Sequence, residues 1–324
     1  MLYPLKFEPI LKDKIWGGTK LKSLFNINST STCLGESWEL SGIDKEESVV
    51  SNGDLAGNNL QELIEIYMGE LVGDSVFDQF GHSFPLLFKL IDANDNLSIQ
   101  VHPGDEVAAE RHNSFGKTEM WYVVDCDDNA ELVVGFKNDC SKQDYLDALE
   151  KGIVEELLQK VPVKKGDTIF IPAGLVHAIG KGIVLAEIQQ SSDITYRIYD
   201  YKRADANGLE RELHTEQAVD VIDFNASKSP KIIYDAKINQ ITSLVKCDYF
   251  TTNIIKFDNS ITRNYATLDS FVVYMCISGS FKIQYNSANI TVNTGDTILI
   301  PACIDELLLI TDNEVKVLEV YLEN

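Results

Sequence analysis

The feature of this sequence that most constrains its fold is a twelve-residue run that occurs almost twice. Residues 166–177 read GDTIFIPAGLVH, and 129 residues later residues 295–306 read GDTILIPACIDE. An apolar segment precedes each copy, MWYVV at 120–124 and FVVYM at 271–275. An internal duplication of this kind indicates two related structural units. Two copies are too few for a solenoid, so we expect two side-by-side β-barrels.

Only the first copy carries side chains suited to a metal ion. It ends in His177 after a Pro-x-Gly turn, and the upstream segment SIQVHP contains Gln100 and His102. These two residues are two positions apart, so on a strand they point to the same face. Glu119 begins an apolar strand, where an unpaired carboxylate would be costly. Two imidazoles, one carboxylate and one amide predict a metal site inside the first unit.

The second copy keeps the frame of the run without its ligands. Ser270 stands where the first copy has Glu119, and Glu306 stands where it has His177. Because this unit has no histidine in the motif, we interpret Cys303 and Glu306 as positions that bind no metal. We therefore predict a catalytic unit over residues 1–225 and a degenerate unit over 226–324, with 224–231, which includes Ser229, as the candidate linker.

The predicted fold class is mainly β, with a few helical insertions in the N-terminal half. Helical spacing and capping residues predict helices at Leu60–Tyr67, Glu106–His112 and after Ser141, and a further one at Ile153–Gln159. Closely spaced strand signals with almost no helix signal follow residue 231.

Charge and composition exclude several classes of protein. The formal net charge is −22 at pH 7, so nucleic acid is not an expected partner. No apolar stretch approaches the roughly 20 residues that cross a bilayer, and the first residues do not resemble a signal peptide. The six cysteines include no Cys-x-x-Cys pair, which fits a reducing cytoplasm rather than a disulfide framework.

With these residues in view, the chain resembles the cupin superfamily and, within it, the small bacterial type I mannose-6-phosphate isomerases. Residues 166–177 fit the second cupin motif at every fixed position, and Gln100-x-His102 is this family's variant of the first motif. Further matches spread over residues 15–201 and occur in the family's order. They are Ile15–Gly18 (IWGG), Gly35–Glu39 (GESWE), Leu87–Lys89 (LFK), Gly116–Glu119 (GKTE) and Gln190–Tyr201 (QSSDITYRIYDY).

The resemblance implies two jelly-roll barrels of the cupin type and one zinc ion per chain in the first of them. It implies Gln100, His102, Glu119 and His177 as zinc ligands, and a sugar phosphate as the small-molecule partner. The implied reaction is the interconversion of mannose 6-phosphate and fructose 6-phosphate through an enediolate. The oligomeric state is left open.

The resemblance also implies the remaining site residues. Arg197 matches the catalytic arginine, Glu187 a pocket acid, and Ser98 and Lys117 positions that line the sugar-phosphate pocket. Lys89 is flanked by apolar residues, and Lys117 lies two residues before the strand that Glu119 begins, so each needs an anionic partner such as a buried glutamate or a substrate phosphate. The general base is either Glu187 or a metal-bound water. The phosphate-binding residues are left open.

Other interpretations of the same residues remain at this point. Cupin dioxygenases bind iron through histidines and a carboxylate, and a cupin can also bind sugars without catalysis. Taken alone, Arg197 could be a structural arginine that pairs with Asp193 or Asp200. The histidines His82, His112 and His214 lie in polar segments and are expected at the surface.

Overall fold

The computed structural model describes residues 2–204, 208–227, 230–286 and 288–323, and β-strands make up most of its regular structure. This confirms the predicted mainly-β class. In the described residues, no helix is both long and apolar enough to cross a membrane. The α-helices are Lys20–Phe25, Leu60–Tyr67, Gly69–Val72, Asp74–Phe80, Asp105–His112, Lys142–Glu150 and Thr215–Val221.

Two of the predicted helices begin at capping boxes. The Asn59 side chain accepts a hydrogen bond from the backbone N–H of Glu62, and the Glu62 carboxylate accepts one from the N–H of Asn59. Ser141 and Asp144 form the same arrangement at the start of Lys142–Glu150. The insertions are not confined to the N-terminal half, because the helix Thr215–Val221 follows later.

The prediction of a helix at Ile153–Gln159 is wrong. A 3-10 turn covers Val154–Leu157, and the chain then continues as the strand Leu158–Pro162. This strand pairs with Glu131–Phe136, so strand pairing with a distant segment overrides the local helical spacing.

Two antiparallel sheets from the first unit share one core. Trp121 and Ile169 of one sheet and Leu132 of the other belong to the same buried cluster. In order of neighbouring strands, the seven-stranded sheet contains Lys231–Ile232, Thr168–Ile171, Glu119–Cys126, Ile183–Gln190, Leu86–Ala93, Leu34–Leu40 and Ile10–Gly18. The five-stranded sheet contains Leu158–Pro162, Glu131–Phe136, His177–Ala178, Ile99–Val101 and Tyr196–Tyr199.

The second unit repeats this arrangement with a six-stranded and a four-stranded sheet. The core between them includes Phe257 and Tyr274 from the larger sheet and Phe281 from the smaller one. The six-stranded sheet contains Leu5–Lys6, Thr297–Ile300, Val272–Ser278, Val315–Tyr321, Thr251–Phe257 and Gln240–Lys246. The four-stranded sheet contains Ile261–Asn264, Glu306–Ile310, Ser280–Tyr285 and Ala288–Asn293, and a separate hairpin pairs Gly42–Ile43 with Glu46–Glu47.

Backbone pairing keeps the two sheets of each unit separate in the described residues, so it does not join either pair into the closed barrel expected from the sequence. Two short strands also cross the predicted boundary between residues 225 and 226. Leu5–Lys6 pairs with the second unit's strand Thr297–Ile300, and Lys231–Ile232 pairs with the first unit's Thr168–Ile171. Of the candidate linker, Ser229 lies outside the described residues.

The largest core joins the two units. It contains side chains of the seven-stranded sheet such as Phe88, and side chains of the six-stranded sheet such as Leu318 and Val320. Phe84 and Phe271 meet in this core with ring centroids 4.7 Å apart. The two large sheets therefore pack against each other across this core.

We expect Phe271→Ala to lower the free energy of unfolding by about 3–5 kcal/mol, because it removes a fully buried ring between the units. Denaturant unfolding followed by circular dichroism measures this loss. Ile233→Ala is the matched control, since Ile233 is 91% exposed and its change should stay within about 0.5 kcal/mol. Equal losses in the two variants would contradict the role of the shared core.

Candidate metal centre and its cavity

Strand pairing brings the two halves of the predicted metal motif together. His177 pairs with Gln100 across neighbouring strands, and His102 follows directly on the strand that carries Gln100. The Pro-x-Gly turn that precedes His177 is also bonded to the segment that carries His102, because the N–H of Gly174 donates to the carbonyl of His102 at 2.9 Å. Gly174 has φ +86°, and a Cβ there would lie 2.9 Å from the carbonyl oxygen of Val221. Glycine is therefore required at this turn.

His102, Glu119 and His177 form a compact buried cluster. One ligand atom from each lies within 4.8 Å of the others, and all three side chains are almost completely excluded from solvent. His102 Nε2 lies 3.2 Å from Glu119 Oε1, and His177 Nε2 lies 3.9 Å from Glu119 Oε2. Two imidazoles and a carboxylate are a common donor set for a divalent metal ion, so this cluster could hold one.

Hydrogen bonds on the far side of each ring fix the state of the histidines. His102 Nδ1 lies 2.8 Å from the carbonyl of Ile194, and His177 Nδ1 lies 2.8 Å from that of Leu175. A carbonyl oxygen can only accept, so each Nδ1 carries the proton and each neutral ring presents the Nε2 lone pair to the cluster. Backbone carbonyls orient metal-binding histidines in this way.

Two facing acceptors have no hydrogen-bond partner among the residues that the structure describes. They are His102 Nε2 and Glu119 Oε1, both buried. A lone pair and a carboxylate oxygen at 3.2 Å repel each other unless a cation lies within reach of both. The ammonium of Lys117, 3.4 Å from Oε1, compensates only the carboxylate. A metal ion would satisfy both atoms.

Gln100 lies at the edge of this cluster. Its side-chain amide nitrogen is 3.3 Å from His177 Nε2. The amide oxygen and nitrogen are interchangeable by a rotation of the side chain, so Gln100 can present its oxygen toward the same place. It is less buried than the other three residues and also lines the neighbouring cavity.

Charges around the cluster favour neutral histidines and an ionised glutamate. Burial, and then Lys117, lower the pKa of His102 to about 3, and burial also lowers the pKa of His177. Burial would raise the pKa of Glu119, but the ammonium of Lys117 holds it well below its usual range. These are the protonation states in which all three side chains bind metals.

A second buried ion pair adjoins the cluster. Lys89 Nζ donates to Glu187 Oε1 at 3.0 Å and to the side-chain oxygen of Gln189 at 2.6 Å. The indole N–H of Trp121 lies 2.8 Å from Glu187 Oε2 and 3.1 Å from Glu119 Oε2, so it connects the two carboxylates. Burial and the nearby Glu119 raise the pKa of Glu187. Glu187 therefore holds a proton more readily than an exposed carboxyl group does.

A cavity of about 430 Å³ opens beside the cluster. Six of the residues predicted from the sequence line it: Lys89, Ser98, Gln100, Lys117, Glu187 and Arg197. The other three, His102, Glu119 and His177, lie behind its wall in contact with Gln100 and Lys117. All nine predicted residues thus meet in one region. The cavity is large enough for a small phosphorylated sugar.

Arg197 faces this cavity without a carboxylate partner. Among the described residues no carboxylate lies within 4.0 Å of its guanidinium, so the alternative pairing with Asp193 or Asp200 is wrong. Its Nη1 donates to the carbonyl of Glu212 at 2.8 Å, and its buried Nε has no partner. Burial, followed by the nearby Arg211, lowers the pKa of Arg197.

Sequence reasoning missed several residues of this site. Lys12 and Lys14 reach the cavity from the strand Ile10–Gly18, and their spacing of two could have indicated a shared face. Arg211 also lines the cavity, from a segment that has no motif of its own. His214, expected at the surface, is half-buried, and its Nδ1 accepts a hydrogen bond from the backbone N–H of Arg197 at 3.2 Å.

Comparison with known proteins gives one consistent family. A family model described as the phosphomannose isomerase type I catalytic domain matches residues 4–142, and one described as the mannose-6-phosphate isomerase cupin domain matches residues 240–317. The mannose-6-phosphate isomerase ManA of Bacillus subtilis is 38% identical over 94% of this chain and 95% of that protein. The mannose-6-phosphate isomerase of Streptococcus mutans is 36% identical over 93% of each chain.

Solved structures agree with this result. The crystal structure of the mannose 6-phosphate isomerase from Bacillus subtilis superposes with a TM-score of 0.89 at 34% identity, covering 99% of both chains. A putative mannosephosphate isomerase from Archaeoglobus fulgidus, at 21% identity and a TM-score of 0.80, shares the fold over 99% of this chain and 98% of that one.

Proposed function

This chain belongs to the type I mannose-6-phosphate isomerases, and we propose that it interconverts D-mannose 6-phosphate and D-fructose 6-phosphate as a zinc enzyme. The main support for a metal ion is the pair of buried, unpartnered acceptors His102 Nε2 and Glu119 Oε1. With His177 they form the nitrogen and oxygen donor set that catalytic zinc uses, and Gln100 completes the set. A bound zinc ion would act as a Lewis acid toward the oxygen atoms of the sugar.

The reaction requires two proton transfers. A proton leaves C2 of the open-chain aldose and returns to C1, and a hydroxyl proton passes from O2 to O1. Negative charge develops on the oxygens of the enediolate between these steps, so the site must supply a base near C1 and C2 and cations near O1 and O2.

Glu187 is our candidate for the base. It lies in the cavity wall, and burial raises its pKa, which makes it a stronger base than an exposed carboxylate. Lys89 and Trp121 each donate a hydrogen bond to one of its oxygens and fix the orientation of the carboxylate. In this proposal Lys89 is a positioning residue, and it also keeps the ionised form of Glu187 accessible.

Arg197 is our candidate for stabilising the enediolate. Although burial lowers its pKa, a guanidinium stays protonated in proteins, so Arg197 acts as a cation and not as a base. Its unpartnered Nε is a donor that substrate can satisfy. We assign Ser98 and Lys117, which line the same cavity, to contacts with the sugar phosphate.

The decisive experiment is a coupled assay that follows fructose 6-phosphate formation from mannose 6-phosphate. We expect turnover in the purified protein, loss of turnover after treatment with a chelator, and recovery when zinc is added. Turnover that stays unchanged after treatment with the chelator would overturn the zinc proposal. Two histidines and one carboxylate also suit non-haem iron, so oxygen uptake in the presence of iron would instead support a dioxygenase.

We further propose that each pair of sheets is a jelly roll of two facing sheets, and that the second jelly roll binds no metal. The absence of a metal site there is supported by Ser270, which stands where the first unit has Glu119. Its hydroxyl donates to the Phe271 carbonyl and accepts from the N–H of Leu322. Glu306 is exposed, and Cys303 donates its backbone N–H to the carbonyl of Glu70, so these residues form no buried ligand cluster in the described structure.

The six free cysteines support a cytoplasmic location.

We expect one equivalent of zinc per chain by metal analysis of the purified protein. Because no described residues of the second unit converge as ligands, the double variant Cys303→Ala, Glu306→Gln should keep that equivalent. A second equivalent that disappears in this double variant would contradict the assignment of a single metal site.

A further inference from the structure

The cations of the cavity fall into two groups. Each of the four lysines has a carboxylate partner within 4.0 Å, so the lysine side of the cavity carries little net charge. These pairs are Lys12–Glu46 at 2.6 Å, Lys14–Glu36 at 3.1 Å, Lys89–Glu187 at 3.0 Å and Lys117–Glu119 at 3.4 Å.

The arginine side of the cavity is less compensated. Arg197 and Arg211 line it, and within the described residues Arg197 has no carboxylate partner while Arg211 shares Asp200 with Arg203. The other described carboxylates nearby are exposed or outside the cavity. Asp193 lines the cavity and Glu212 acts on Arg197 from a distance, but both are exposed, and Asp95 lies 3.7 Å from Arg203 and outside the cavity. A dianionic group entering the cavity is therefore attracted to the side formed by Arg197 and Arg211.

Arg211 is held in a fixed orientation with donors to spare. Its Nε and Nη2 donate to the two oxygens of Asp200 at 2.7 and 2.6 Å. A guanidinium has five N–H donors, so within the described residues this bidentate pair leaves three of them for other acceptors. Asp200 is itself buried and anchored by Arg203, so the orientation of Arg211 is set before any ligand binds.

We propose that Arg211 binds the phosphate group of the sugar and thereby selects phosphorylated substrates. This inference rests on the proposed isomerase function and assigns the phosphate end of the same cavity. Arg203 is excluded from this role because it does not line the cavity and instead donates to the carbonyl of Asn96 and to Asp200. Lys202 likewise is not among the residues that line it.

The test compares Arg211→Gln with Arg203→Gln. Both remove one of the two arginines that bind Asp200, but only Arg211 faces the cavity. In Arg211→Gln we expect the KM for mannose 6-phosphate to rise on the order of 10- to 100-fold, the scale of losing hydrogen bonds to a charged group. We expect kcat to change by less than about threefold, because a phosphate contact stabilises bound substrate and transition state alike.

Inorganic phosphate is the second probe. Its competitive inhibition constant should rise in Arg211→Gln by about the same factor as KM, and both constants should stay within about twofold of the parent in Arg203→Gln. Arg211→Lys keeps the charge without the planar fork, so its KM should lie between those of the parent and Arg211→Gln. If Arg211→Gln does not fold, the KM of Arg211→Lys decides.

Three results would overturn the inference. One is a KM within twofold of the parent in Arg211→Gln. If Arg211→Gln does not fold, the same result in Arg211→Lys would overturn it. Another is an equal rise in Arg203→Gln, which would mean that the arginines act only through Asp200. The third is a raised KM with unchanged phosphate inhibition, which would place Arg211 on the sugar. A parent without isomerase activity would instead contradict the proposed function, and calorimetric titration with inorganic phosphate would then still test Arg211.

Discussion

Replacing His102 or His177 by alanine should remove the bound metal and nearly all turnover. Each ring presents its Nε2 lone pair to Glu119 because a backbone carbonyl holds its Nδ1 proton. Losing a partner that merely orients a ligand typically costs 10- to 100-fold in metal affinity, so losing the ligand itself should cost more than about 100-fold. Metal analysis and kcat, measured on the same preparations, check this expectation.

His82→Ala is the matched control for both variants. His82 is exposed and lies beside Phe77, outside the cluster, so its loss should leave zinc content and turnover unchanged. Addition of excess zinc should partly restore turnover in His102→Ala if the defect is weak binding. Full zinc content with near-normal turnover in either His102→Ala or His177→Ala would refute the ligand assignment.

The convergence of the candidate site could be predicted because it depends on local geometry. A period of two places Gln100 and His102 on one strand face, and the Pro-x-Gly turn delivers His177 beside them. The structure adds what no local pattern contains, namely that Ile194 and Leu175 supply the carbonyls that fix both rings. These contacts depend on how distant segments cross, which sequence spacing does not encode.

The arginine side of the cavity could not be predicted for the same reason. Arg211 and His214 come from a polar segment without periodicity, which reads as a surface loop. Tertiary packing folds this segment over the strand Tyr196–Tyr199. There the backbone N–H of His214 donates to the carbonyl of Arg197, and the backbone N–H of Arg197 donates to His214 Nδ1. Polar composition alone does not distinguish such a segment from one that faces solvent.

The duplication predicted two related pairs of sheets, and the division of the chain at residues 225 and 226 stays a prediction. Each copy of the repeated run does lie in its own pair of sheets. The first strand, Leu5–Lys6, nevertheless pairs with residues of the second unit, and the ion pair Lys6–Asp296 lies on the same contact at 2.7 Å. A two-residue strand has too little pattern to be recognised, because its stability comes from the sheet that it joins.

The Arg197→Ala variant should keep its bound zinc but lose most of its turnover. Arg197 contacts the carbonyl of Glu212 and the cavity, and none of its described hydrogen bonds reaches His102, Glu119 or His177. Zinc content and the melting temperature should therefore stay near those of the parent. We expect kcat with saturating mannose 6-phosphate to fall by roughly 10²-fold or more, the scale on which removal of one oxyanion-stabilising group acts.

Two further variants separate this role from a structural one. Arg197→Lys keeps the positive charge but loses the planar fork, so it should restore kcat only in part. Arg111→Ala is the control, because Arg111 pairs with Asp220 on the surface and should change kcat by less than about twofold. An Arg197→Ala protein with zinc bound and kcat within a few-fold of the parent would show that Arg197 only supports its strand. A loss of zinc in that variant would instead show that Arg197 supports the metal cluster.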